Sequence, residues 1–159
     1  MMGSKSDLAF ARSIKEFLEK EGFSVKCEYL VASAHRVPDI LLDKLKRYEA
    51  CEDNIVYITI AGLSDALSGV VAGFTRYPVI ACPPDLERYG WNKAFSSVMT
   101  PKGVPVLLAS SPENAALAAT KILAFSNVSL REEIRRLMEK KREEAIQANK
   151  DVADEKTLN

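Results

Sequence analysis

The sequence predicts an α/β fold: a three-layer, doubly wound, mostly parallel sheet with an extra helix at the carboxyl end. Three observations predict it. Short apolar, β-branched runs alternate with stretches of helical periodicity, the pattern of a parallel sheet wound with helices on both faces. The run Ile55-Val56-Tyr57-Ile58-Thr59-Ile60 is almost continuously apolar, as a strand covered on both faces must be. Loops of small and polar residues at 3–7, 33–36 and 61–69 each follow a strand, or the place where a strand belongs, so all three can converge on one crevice at the carboxyl ends of the strands.

Taken in order, Met1-Met2-Gly3-Ser4-Lys5-Ser6-Asp7 leads into a helix with Phe10, Ala11, Ile14, Phe17 and Leu18 on one face, stopped by Gly22. Ser6 or Asp7 is its expected cap. A small-residue loop entering a helix points several N–H groups and the positive dipole end at one spot, a generic phosphate site, although an ordinary capped helix start explains the same residues. Ser24 to Val31 alternates as a strand. Pro38 then fits the first turn of a helix carrying Ile40, Leu41, Leu45 and Tyr48. After the central run at 55–60 comes Ala61-Gly62-Leu63-Ser64-Asp65-Ala66-Leu67-Ser68-Gly69 and a short helix with Val70, Val71 and Phe74.

Val79-Ile80-Ala81-Cys82 reads as a buried strand ended by Pro83-Pro84, and Asp85 to Asn92 as a polar loop. A short helix at 94–99, a turn at Pro101-Lys102-Gly103 and a strand from Val104 to Leu108 follow. Ser111-Pro112 starts an alanine-rich helix through Phe125, able to pack closely on a sheet or on a neighbouring subunit. Ser129 with Glu132 reads as the capping box of a last helix of dense mixed charge, frayed from about Asn149. A chain of 159 residues suits one domain, with an α/β body over 1–128 and the helix and tail over 129–159.

Composition narrows the partners. The 22 basic side chains are balanced by 22 acidic ones, so there is no basic stripe for nucleic acid or an anionic membrane. Cys27, Cys51 and Cys82 are widely spaced, without the C-x-x-C spacing of a zinc or redox site. With no signal peptide and no long apolar run, the chain is expected in the cytoplasm with reduced, structural thiols.

The chemistry centres on Ser33-Ala34-His35-Arg36, which holds the only histidine. Its unperturbed pKa, about 6.5, lets it take and give a proton near neutrality. The polar neighbours of His35 argue for catalysis over a satisfied core position. Arg36 offers a planar fork of donors for phosphate or carboxylate, or is a solvated charge. Asp7 suits ribose hydroxyls as readily as a helix cap, and Gly62 and Ser64 can give backbone and hydroxyl donors to a polar ligand edge. Gly62-Leu63-Ser64-Asp65-Ala66 is one residue short of a hydrolase elbow, but His35 lies upstream of it, the wrong order for that fold.

Gly-Ser-Lys-Ser-Asp at 3–7, Ser-Ala-His-Arg at 33–36, Ala-Gly at 61–62, Pro-Lys-Gly-Val-Pro-Val at 101–106 and Asn-Ala-Ala-Leu at 114–117 together resemble the PurE family of purine biosynthesis, over about residues 2–125. The resemblance implies a flavodoxin-like catalytic domain. It also implies a homo-oligomer, an octamer favoured and a tetramer the other candidate, with sites between subunits and the segment 114–124 and the last helix as contact surfaces. No cofactor and no metal is implied. Ser64-Asp65-Ala66-Leu67-Ser68-Gly69 and Ala81-Cys82-Pro83-Pro84 resemble the class II branch, which adds carbon dioxide to C4 of 5-aminoimidazole ribonucleotide (AIR). The other branch moves a carboxylate from N5 to C4; a non-catalytic nucleotide-binding module is the more distant alternative. Leu63 and Asp65 stand where class II usually has arginine and asparagine, and Arg36 where it commonly has lysine.

By the resemblance, His35 is the acid–base residue, Ser4, Asp7 and Arg36 hold the ribose phosphate, and Ser33, Gly62 and Ser64 contact the base or the new carboxylate. Relatives place a hydrophobic strand before the glycine; here only Met1-Met2 precede Gly3, so either the start is truncated or the sheet is completed differently.

Overall fold

A computed structural model describes residues 1–157, the last four of these by their backbone alone. Its named sheet has three parallel strands in the order β1 (Tyr57–Thr59), β2 (Val79–Ala81) and β3 (Leu107–Leu108). Tyr57 pairs with Val79, Ile58 with Ile80, and Ala81 with Leu108. Two further lanes extend it. Met2 pairs in parallel with both Val31 and Ile60, so residues 1–3 lie between the extended segment ending at Val31 and β1. The lanes therefore run 24–31, 1–3, 57–60, 79–81, 107–108, which is the flavodoxin-like order of a doubly wound sheet.

The two faces follow from strand alternation. Met2, Ile60 and Ile80 join Ala11, Ile14 and Leu18 of α1 (Leu8–Lys20) and Ala115, Ala116 and Ala119 of α6 (Pro112–Leu123). Tyr57, Ala61 and Val79 join Leu41 and Leu45 of α2 (Pro38–Glu49) and Leu67 and Val71 of α3 (Ala66–Phe74). Two short helices, α4 (Leu86–Tyr89) and α5 (Trp91–Val98), precede β3. The last helix, α7 (Val128–Thr157), lays Leu130 and Leu137 on the body.

Several elements differ from expectation for physical reasons. Residues 24–30 form no named strand, and the segment pairs only at Val31, through its bridge to Met2. Among the described residues, the backbone of 25–29 and of 54–56 makes no hydrogen bond, and a cavity of about 640 Å³ separates the two segments, walled by Ile14, Leu18, Cys27, Val56 and Ile58. The polar stretch 85–92 is not a plain loop but contains α4 and the start of α5. Neither Ser6 nor Asp7 caps α1 through its side chain; Ser4 caps the 3-10 turn Lys5–Asp7 that leads into it, and Asp7 returns the bond.

The box anticipated at Ser129 and Glu132 does not form. Asn127 Oδ1 accepts the Leu130 N–H (3.2 Å), Ser129 turns to Glu133 (3.1 Å), and Glu132 pairs with Arg135. The helix then runs on past Asn149 to Thr157, leaving only the last two residues of the anticipated tail outside the described residues.

Candidate active site

The site is set by one rung of the ladder. Met2 N–H donates to Leu30 O (2.7 Å), Ala32 N–H to Met2 O (2.9 Å), and Gly3 N–H to Ile60 O (2.9 Å). Three chains thus leave the sheet side by side, at Gly3, Ala32 and Ala61, and a Cβ on Gly3 would stand 3.5 Å from Ala61 Cβ. The loops carrying Ser4 and Asp7, Ser33 to Arg36, and Gly62 to Asp65 start from neighbouring lanes.

The first loop is largely self-satisfied. Asp7 Oδ2 accepts Ser4 N–H (3.1 Å), Ser4 Oγ accepts Ser6 N–H (3.2 Å), and Ser4 O accepts Asp7 N–H (3.2 Å). The N–H groups of Ser4, Ser6 and Asp7 are therefore engaged, which matches the capped-start reading of this turn more closely than an open anion cradle. Burial raises the Asp7 carboxyl above its ordinary value, and the Asp85 charge works in the same direction.

In the second loop, Ser33 O accepts the N–H groups of Arg36 (3.3 Å) and Val37 (3.0 Å), closing a turn that lifts His35 and Arg36 outward before Pro38 opens α2. Both side chains are exposed, and among the described residues neither makes a side-chain hydrogen bond. They are free to meet a ligand.

The third loop is tightly built. A Cβ on Gly62 would come within 2.7 Å of Asp85 Oδ2, so any larger residue there must push the Asp85 carboxylate aside. The same carboxylate accepts Leu63 N–H (3.1 Å) and holds Leu63 at φ 54, in the left-handed region that a branched side chain avoids. Ser64 is exposed, with its hydroxyl available. Asp65 is buried and caps α3, taking Ser68 N–H (3.0 Å) and Ser68 Oγ–H (2.6 Å), while its own N–H donates to Ser96 Oγ (2.9 Å). A carboxylate in this position thus serves as a helix cap.

Two residues escaped the sequence reading. Asp85 shapes the Gly62 loop, and Lys93 on α5 lies within electrostatic reach of Asp65, Asp85 and Asp7. Lys93 is only 2% exposed, and among the described residues its ammonium has no hydrogen-bond partner. The one available signal for Asp85 was its place just after a strand-ending Pro83-Pro84. For Lys93 no local signal existed.

The cysteines are packing groups. Burial pushes the Cys82 thiol up to about 12 and the Cys27 thiol upward as well, and Cys51 donates to Arg47 O (3.4 Å). Among the described residues, no three His, Cys, Asp or Glu side chains gather to hold a metal ion, and no helix is long and apolar enough to cross a membrane.

Comparison with known proteins adds to this geometry. The family model described as AIR carboxylase matches residues 1–144. The chain is 40% identical over 152 residues to a phosphoribosylaminoimidazole carboxylase of Archaeoglobus fulgidus, covering 96% of this chain and 82% of that one. It is 36% identical to an N5-carboxyaminoimidazole ribonucleotide mutase of Methanocaldococcus jannaschii, covering 97% and 96%. The crystal structure of Treponema denticola PurE superposes with a TM-score of 0.86 at 35% identity, covering 92% of this chain and 91% of that one.

Proposed function

The chain belongs to the AIR carboxylase family, and within it we propose that the protein carboxylates C4 of AIR with carbon dioxide to give 4-carboxy-5-aminoimidazole ribonucleotide (CAIR), a step of purine (IMP) biosynthesis. The observation that carries this reading is the shared exit of the three loops, which sets the exposed His35 turn next to the Gly62 and Ser4 loops. The 5-amino group makes C4 of AIR electron-rich, so C4 attacks the carbon of carbon dioxide directly. A C–C bond forms, and one C=O electron pair moves onto oxygen as the new carboxylate. The C4 proton must then leave to restore the aromatic ring, and neutral His35 takes it; in reverse, protonated His35 returns it.

Ser4, Asp7 and Arg36 bind the ribose phosphate end, and Ser33, Gly62 and Ser64 meet the base and its carboxylate, in keeping with their places on the three loops. For Ser4 this means exchanging its bonds to Ser6 for ligand bonds. Holding both reactants in register would remove much of the entropic barrier.

Self-association in the cytoplasm belongs to the same reading, with an octamer favoured over a tetramer. The alanine face of α6, with Ala115, Ala116 and Ala119, packs on the core, which leaves the rest of the segment 114–124 and the last helix for subunit contact. An exposed apolar stripe of Trp91 and Phe95 on α5 with Met99 just after it, together with the exposed Leu107 and Leu108 of β3, also supports self-association. Light scattering of the purified protein reads the subunit number.

The class II choice rests on the 64–69 loop and on the relatives named carboxylase. The mutase is the second reading, favoured by Arg36 and by the relative named as one. An absorbance assay separates them. AIR consumed with bicarbonate present supports the carboxylase; conversion of N5-carboxylated AIR alone makes the protein a mutase, and no conversion in either direction leaves a nucleotide-binding module.

A further inference from the structure

The loop after β1 presents Gly62, Leu63, Ser64 and Asp65 and so contributes no positive charge to the crevice. A cation reaches the same place from α5. Lys93 lines a cavity of about 340 Å³ together with Leu63, Ser64, Tyr89, Asn92 and Ser96. An ammonium that is buried and unpaired is costly, and a fold keeps one where something else completes its bonding.

The surrounding carboxylates do not complete it. Asp65 is occupied by Ser68, Asp85 by the Leu63 N–H, and Asp7 by the Ser4 N–H. None of them forms an ion pair with Lys93 among the described residues. Burial lowers the Lys93 ammonium from its ordinary value, and the three carboxylates work in the opposite direction. Among the described residues the arrangement leaves the Lys93 Nζ unpaired beside the cavity.

Resting on the carboxylase reading, we propose that Lys93 is the specificity-determining residue that binds the carboxylate at C4 of the imidazole. Its neighbours Leu63 and Ser64 belong to the loop assigned to that end of the ligand. Three carboxylates against one ammonium disfavour a dianionic phosphate more strongly than a carboxylate monoanion. Carbon dioxide enters uncharged, and the negative charge appears as the C–C bond forms. A fixed ammonium at that point stabilises the product carboxylate and the charge developing towards it.

The test is calorimetric titration of AIR and of CAIR into the wild-type protein, Lys93→Met and Lys93→Arg. Lys93→Met is expected to weaken CAIR about tenfold or more, the scale of one lost charge-assisted hydrogen bond, and AIR by less than about twofold. Lys93→Arg should recover most of the CAIR affinity. The melting temperature of Lys93→Met should not fall, since the change removes an unpaired buried charge; should that variant fail to fold, Lys93→Gln is read in the same way. Equal losses for AIR and CAIR, or no loss for either, overturn the assignment of Lys93 while leaving the carboxylase reading intact. A wild-type protein that binds neither nucleotide overturns both.

Discussion

At the scale of single residues, the exposed turn at 33–36 carries the sharpest expectation. Among the described residues His35 has no side-chain partner to satisfy, so replacing it should cost little stability and much chemistry. His35→Asn keeps the shape and removes the proton acceptor. Turnover of AIR is expected to fall by about 10²–10⁴-fold, with ligand binding retained, and undiminished turnover would remove His35 from the proton transfer. Arg36→Ala should weaken AIR by about 10–100-fold, as the loss of a hydrogen bond to a charged group does, but leave the dephosphorylated nucleoside almost unchanged. Parallel losses for both ligands would take Arg36 out of the phosphate site. The His-Arg pair was legible in the sequence because its chemistry is local: a lone titratable side chain beside a fixed charge in a polar turn. Lys93 was not, because its character comes from what α5 presses it against, and Asp65 showed as a departure in a ligand loop when its contacts are those of a helix cap.

Helices and strands differ in how much of them the sequence discloses. The starts at Pro38 and Ser111 could be read ahead because a fixed φ and a capping hydroxyl act within one turn; Ser111 Oγ indeed accepts the Asn114 N–H (3.2 Å). A strand is completed by its neighbour. Ser24 to Val31 has the alternation of a strand, yet it pairs only at Val31. What fixes its amino end is a contact 109 residues away in sequence. Glu133 of α7 accepts Ser24 N–H (2.9 Å) and Ser24 Oγ–H (2.7 Å), and Ser129 Oγ–H as well (3.1 Å). Burial works to raise this carboxyl, but the bonds from Ser24 and Ser129 outweigh it and hold the group below the usual carboxylate range. Glu133→Ala is therefore expected to destabilise the fold by about 2–3 kcal/mol in urea unfolding. The wild-type contribution should persist at neutral pH and fade in acid, as the carboxylate is protonated below its depressed native value. A change under about 0.5 kcal/mol would mean that α7 is held by its other contacts, among them Leu130, Ile134, Leu137 and the Lys140–Glu21 pair.

For the molecule as a whole, the lane between 24–30 and 54–58 decides how stability responds to pH. The Met1 amine sits buried in that lane and donates to Ile58 O (2.7 Å), and burial lowers it from an ordinary 8.0 to about 6. Its native value lies below its unfolded one, so between these limits the unfolded chain binds more protons and stability must rise with pH. The whole gain, from well below pH 6 to well above pH 8, is expected to reach about 3 kcal/mol, two pH units at about 1.4 kcal/mol each, with about 2 kcal/mol of it falling between pH 6 and pH 8. The full penalty applies only well below pH 6, and it is gone well above pH 8. Cys27 and Cys82, both pushed upward by burial, titrate outside this window. Acetylating the amine removes the charge and places a peptide-like carbonyl in a cavity with room for it. Urea midpoints of the acetylated protein should then show little of the rise between pH 6 and 8. Five alternating apolar residues fused ahead of Met1 should go further, spanning about 16 Å of strand and offering partners to the free backbone of 25–29 and 54–56. Their melting temperature should exceed that of the acetylated chain. The same fusion with proline at alternate positions lacks half the donors and should gain much less. Equal gains from the two fusions would mean that the lane rewards bulk apolar filling and not strand pairing.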